Sequence, residues 1–102
     1  MTLAENDCEL ERHPERPDLW VTKARLLMLE ENPVSLGLDE VETCLLKALG
    51  LDPEHLDALE EAAHFYDVVM PDRAKAVMYA QHYIRVAGKV VDDMQSIIDD
   101  LN

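Results

Sequence analysis

"LGLDPEHLDALEEAAHFYDVVMP", residues 49–71, is the stretch whose reading decides the fold. Asp52 can accept a hydrogen bond from a free amide at a helix start, and Pro53 suits the first helical position, where its missing N–H costs nothing. Leu56, Leu59, Ala63 and Tyr66 then mark one apolar face down to about Val69. Pro71 cannot continue the hydrogen-bond ladder, so the spacing predicts one helix bounded by two prolines.

Working outward, the other prolines divide the chain in the same way. Thr2 and Glu5 have the spacing of a capping box, which starts a helix that runs to about Arg12 before His13-Pro14. Pro17 opens a second helix, "PDLWVTKARLLMLEEN", with Trp20, Ala24, Leu27 and Glu31 on one strip and Leu19, Leu26 and Leu29 on another. "NPVSLGL", Asn32 to Leu38, reads as a loop. Asp39 and Glu42 repeat the capping-box spacing ahead of a third helix from about Glu40 to Leu49, with Gly50 placed to end it. Beyond Pro71, "DRAKAVMYAQHYIRVAG" sets Ala76, Ala80, Tyr83 and Ile84 on one side and closes at Gly88. A last helix from about Lys89 to Leu101 carries Val90, Val91, Met94, Ile97 and Ile98 against Asp92, Asp93, Asp99 and Asp100. The expectation is an all-α chain of about six helices.

Composition agrees. The 102 residues suffice for one domain, and 3 Gly, 5 Pro and 5% aromatic residues leave little material for a β architecture. The 22 acidic and 9 basic residues give a net charge of -13, spread over both halves. That sign opposes direct binding to nucleic acid or to an anionic membrane and favours a basic partner. No apolar stretch reaches the ~18 residues of a membrane span, and the first residues lack the pattern of a secretory signal, so a cytoplasmic location is expected. Cys8 and Cys44 have no metal-binding or paired spacing and read as ordinary helix residues.

The helices also repeat. Pro14 and Pro53 are 53 − 14 = 39 residues apart, and the same shift carries Trp20 to Leu59, Ala24 to Ala63 and Leu27 to Tyr66. With "PDLWVTKARLL", "LDEVETCLLKALGLDP" and the second unit through Leu59, Ala63, Tyr66, Ala76, Ala80 and Tyr83, the chain resembles the tetratricopeptide repeat family over about Pro17 to Gly88. Lys23, where an apolar residue is common, and Tyr83, where alanine is usual, depart from that pattern. The resemblance implies a short right-handed α-α superhelix of antiparallel hairpins. Its parts would be an N-terminal helix (2–13), two repeats (17–53 and 54–88) and a capping helix (89–102).

Sites for chemistry are sparse. Glu61-x-x-His64 has the spacing of half a carboxylate-bridged metal site, but no second copy occurs. His13, His55 and His82 read as solvated or hydrogen-bonded, and Gly37, Gly50 and Gly88 are too few and scattered for a phosphate loop. Neither an enzyme nor a cofactor is expected. The family resemblance instead implies a groove lined by the first helix of each pair: Val21, Arg25, Met28 and Leu29, then Asp57, Glu60, His64 and Asp67. Its places for clamping a terminal carboxylate are apolar or acidic here. The reading is a binding module, an adaptor or small chaperone, for a basic or amphipathic segment of another protein. A homodimer through Met28, Leu29 and the apolar loop is a variant of it. The alternative is an acidic inhibitor or immunity-type protein that imitates nucleic acid and blocks a basic partner.

Overall fold

The computed structural model describes residues 1–29 and 36–101, with backbone alone for Leu36, Gly37 and Leu101. Its elements are α1 (Leu3–Arg12), α2 (Pro17–Leu29), α3 (Leu36–Leu51), α4 (Leu56–His64), a π-helical turn (Phe65–Val69) and α5 (Arg73–Leu101). The described chain is all-helical, with five helices and no strand. α2 packs chiefly on α3 and α4 on α5, while α4 also touches α2 and α3, and α1 lies against α2.

Local chemistry accounts for most of the boundaries. At α1 the Thr2 hydroxyl accepts from the Glu5 N–H, and the Glu5 carboxylate accepts from the Thr2 N–H, each at 3.2 Å. That reciprocal pair satisfies two otherwise free donors and holds the Glu5 carboxyl below the usual glutamate pKa. α2 begins at Pro17 as expected; its expected continuation to Asn32 lies outside the described residues. α3 begins earlier than expected, at Leu36, so Asp39 sits inside the first turn rather than capping it. The Glu42 carboxylate, expected to complete a capping box, instead accepts from the Tyr66 hydroxyl at 2.6 Å.

The quoted stretch folds as a helix, but with a different start. α4 begins at Leu56, and its cap is His55, whose Nδ1 accepts from the Ala58 N–H at 3.2 Å. Asp52 serves the turn before it, accepting from the Glu54 N–H at 3.1 Å. At the far end Pro71 has no N–H to offer, and the chain widens into the π turn. There Met70 N–H donates to the Phe65 carbonyl and Asp72 N–H to that of Tyr66, both at 2.8 Å.

The glycines do not end helices here. Gly50 and Gly88 both lie within helices, neither has a positive φ, and a Cβ on either would meet nothing within 4 Å. A glycine terminator works by entering the left-handed region, and neither residue does so. α3 therefore ends where Pro53 stops it. α5 passes through Gly88 as one helix of 29 residues instead of the two that were expected.

The core explains the pairing. Ala24, Val41, Cys44, Leu45, Phe65 and Tyr66 form one buried cluster, and Val21, Ala48 and Ala58 a second, with Trp20 packed against both. Ala24, Ala48, Ala58 and Ala62 have no exposed surface, so they are the points of closest helix approach. Two consecutive aromatics, Phe65 and Tyr66, both turn inward at the π turn, meeting edge to face at 5.2 Å. Tyr66 also stacks on Tyr79 of α5 at 5.8 Å. Burial thus matches Ala24 with Ala62 and Val21 with Leu59, a shift of 62 − 24 = 38 residues rather than 39; Ala63 is only half-buried.

Lys23 occupies its apolar-looking position as a tie between helices. Its ammonium lies 3.2 Å from Asp7 of α1 and 3.4 Å from Glu40 of α3. Burial alone would lower its pKa, but Asp7 above all, with Cys44 and Glu40 behind it, outweighs that and raises it. Asn6, fully buried, donates from Nδ2 to the Leu19 carbonyl at 3.1 Å and fixes α1 to the start of α2.

Candidate binding cleft between α4 and α5

Glu60, Ala63, His64 and Asp67 fall at helical spacing on one side of α4 and its π turn; Ala76, Val77, Ala80 and Ile84 do the same on α5. Three of these are alanines, too short to fill the space between two helices while Tyr66 of the π turn stacks on Tyr79 of α5. What remains is a cleft in two adjoining parts of about 290 and 280 Å³ that share Ala63, His64 and Ala80. Each part is at or below the ~300 Å³ lower end of sites that enclose a small molecule. Its size suits side chains inserted from a docked segment.

The lining is apolar at Ala63, Ala80, Val77 and Ile84, with Tyr83 in the part that Glu60 borders. The rim on the α4 side is acidic. Glu60 and Asp67 are exposed, as is Asp57 one turn earlier, and the His64 imidazole lies between them. Arg25 of α2 is already engaged: its Nε donates to the Glu61 carboxylate at 2.7 Å. That contact raises the arginine pKa against the opposing effect of burial, and Asp57 and Glu60 nearby add smaller contributions in the same direction. Glu60 and Asp67 are left to face solvent and any incoming positive charge.

The expected groove residues divide into groups. Glu60, His64 and Asp67 come together at the cleft, and Asp57 flanks it. Val21 is only 2% exposed and packs on Ala48 and Ala58, so it belongs to the core and not to a binding surface. Met28 is packed against the main core cluster, Arg25 is paired with Glu61, and Leu29 is exposed at the end of α2. The apolar half of the cleft comes from α5 instead. Val77 and Ala80 were legible as candidates only through their seven-residue and four-residue spacing to Ile84, which places all three on one side of a helix.

Glu61 and His64 do not form a metal site with other ligands, since Glu61 turns to Arg25. Among the described residues no group of three or more His, Cys, Asp or Glu side chains converges. No described helix is long and apolar enough to cross a membrane. Compared with known proteins, no family model matches the chain, and neither a curated protein nor a solved structure matches it.

Proposed function

We propose that this chain is a non-enzymatic binding module whose α4–α5 cleft holds a basic, amphipathic segment of another protein. The observation that carries this reading is an apolar lining from α5 beside exposed carboxylates on α4, with Arg25 committed to Glu61. An amphipathic helix presents apolar anchors three and four residues apart and lysines or arginines beside them, which is the complement of that surface. The pairing of α2 with α3 and of α4 with α5 supports reading the two hairpins as tetratricopeptide-like units, stacked as a short right-handed superhelix. The net charge of -13 would steer a cationic partner and make its on-rate fall with salt.

The test uses a synthetic Lys/Leu amphipathic peptide, titrated by fluorescence anisotropy at low and moderate salt against the wild type and Glu60→Lys/Asp67→Lys. Glu61 is left intact in that variant, because a lysine there would face Arg25 and unsettle α2 against α4. Binding that weakens with salt and is abolished in the variant, at unchanged melting temperature, is the expected outcome. Equal affinity for both proteins, or none for the wild type, would remove the cleft as the site.

A further inference from the structure

The apolar residues of α5 carry a second pattern, which begins among the cleft residues Val77, Ala80 and Ile84 and runs on well beyond the cleft. Val77, Ile84, Val91 and Ile98 recur at seven-residue intervals, all β-branched. Ala80, Ala87, Met94 and Leu101 recur three residues after each, so the sequence holds an unbroken alternation of three and four over four heptads. That is the seam of a coiled coil, in which the two sets are the positions that meet a partner helix. The seam is bare: Ile84 is 68% exposed, Val91 64%, Met94 53% and Ile98 52%. Every residue from Gly88 to Asp100 is exposed, because the body of the molecule ends at the contact of Lys89 with Glu54, 3.4 Å long.

A helix of this composition is poorly suited to stand alone. Beyond Lys89 it carries four β-branched residues and four aspartates, all weak helix formers, and isolated helices below ~12–15 residues are marginal in water. Asp99 and Asp100 also sit in the last turn, where negative charge opposes the helix dipole. The inner face of α5, which carries Tyr79 and Val86, continues past Gly88 as Asp93 and Asp100, so beyond the body the apolar residues lie on a different side of the helix. That side needs a cover.

We infer that the cover is a second copy of this chain, with the two α5 helices paired antiparallel over residues 84–101. The register follows from size and charge. Antiparallel pairing centred between Val91 and Met94 sets Ile84 against Leu101 of the second copy, Ala87 against Ile98 and Val91 against Met94, so that the alanine meets a large residue. Parallel pairing would set Ala80 and Ala87 against themselves and leave gaps at two layers. Antiparallel pairing brings Arg85 to the same flank and height as Asp99 of the second copy, which sets two attractive pairs against the like-charge meetings of Asp92 with Asp92 and Asp93 with Asp93 at the centre, and it moves the acidic bodies to opposite ends. Parallel pairing would gather both bodies and all the terminal aspartates at matching heights. The paired length is about 27 Å at 1.5 Å per residue. The surface adjoins the α4–α5 cleft but shares only Ile84 with it, so it does not depend on the cleft's proposed role.

Sedimentation equilibrium on the full chain under reducing conditions tests this directly. The wild type is expected to be a dimer at micromolar concentration. Val91→Asp/Ile98→Asp places charges in the seam and is expected to raise the dissociation constant at least about 100-fold. Ser96→Asp, on the opposite side of the helix, should leave the dimer intact. In a Cys8→Ser background, a mixture of Ile84→Cys and Leu101→Cys chains should form a mixed disulfide, whereas self-crosslinking of each alone would overturn the antiparallel register. A wild type that stays monomeric into the hundred-micromolar range, or a Ser96→Asp chain that dissociates as fully as the seam variant, would overturn the inference. Neither readout responds to Glu60→Lys/Asp67→Lys, so failure of the dimer and failure of the cleft are separable.

Discussion

The two hairpins treat their second helices differently. α3 sends Val41, Cys44, Leu45 and Ala48 inward, each at most 2% exposed, because Val21 and Ala24 of α2 and Ala58, Phe65 and Tyr66 of the next hairpin join them in the core. α5 is nearly twice as long, and among the described residues it buries only Val86, although its apolar stripe is longer. Burial here depends on rank in the stack rather than on how apolar a helix is. A helix with a neighbour on both sides becomes core; the last one keeps an open face. The radius of gyration, 15.7 Å against about 13 Å for a compact chain of this length, records the overhang.

The largest expected effect comes from the residue that joins the hairpins. Phe65→Ala should cost about 3–5 kcal/mol in urea unfolding, whereas Ile98→Ala, removing an apolar side chain from the open face, should leave the stability of the monomer within about 0.5 kcal/mol. Comparable losses from the two would dissolve the distinction.

Alkaline pH sharpens it next. Burial pushes the Cys44 thiol from 9.0 up to about 11, an effect that Lys23 only partly offsets. The folded state therefore holds that proton more tightly than the unfolded chain. Its contribution, about 2–3 kcal/mol, is fully present below pH 9 and is lost as pH rises toward 11. Tyr66, raised by burial first and by the Glu42 carboxylate second, acts in the same direction at still higher pH. A Cys44→Ala chain should lose less stability than the wild type between pH 9 and 11 by thermal melting. Over the same range a thiol reagent should modify Cys8, which is exposed, long before Cys44.

Smaller effects come from the polar ties. Tyr66→Phe strands the Glu42 carboxylate and should cost about 1.5 kcal/mol. His55→Ala removes the α4 cap for about 1 kcal/mol, and His55→Asn should restore it. Arg25→Ala breaks a half-exposed ion pair and should cost about 0.2–1 kcal/mol, with any loss shrinking as salt is added.

The sequence signals that were legible are the local ones. Thr2 with Glu5 and the prolines at 17, 53 and 71 act on their own neighbours, and the breaks they predict in the chain are the breaks observed. Gly50 and Gly88 misled because a glycine ends a helix only where the chain then turns away, and the residues from Lys89 onward are compatible with a continuing helix. Val21 misled because its place facing α3 and α4 is a tertiary fact: the same spacing would serve a groove or a core. Ala62 and Ala63 are adjacent in sequence, and only packing decides which becomes the point of closest approach. The cleft was half visible, through Glu60, His64 and Asp67, while its floor on α5 could not be assigned before α5 was placed against α4.

Continuity through Gly88 has a mechanical consequence. At 1.5 Å per residue the 29 residues of α5 make a rod about 43 Å long, and a tilt of about 5° at its Arg73 end would carry the free tip about 4 Å. A slight repacking of Tyr79 on Tyr66, a shift too small to open the core, would thus be magnified at Ile98 into a displacement as large as a side chain. The overhang is a pointer, and its far end registers adjustments made where the aromatic rings meet.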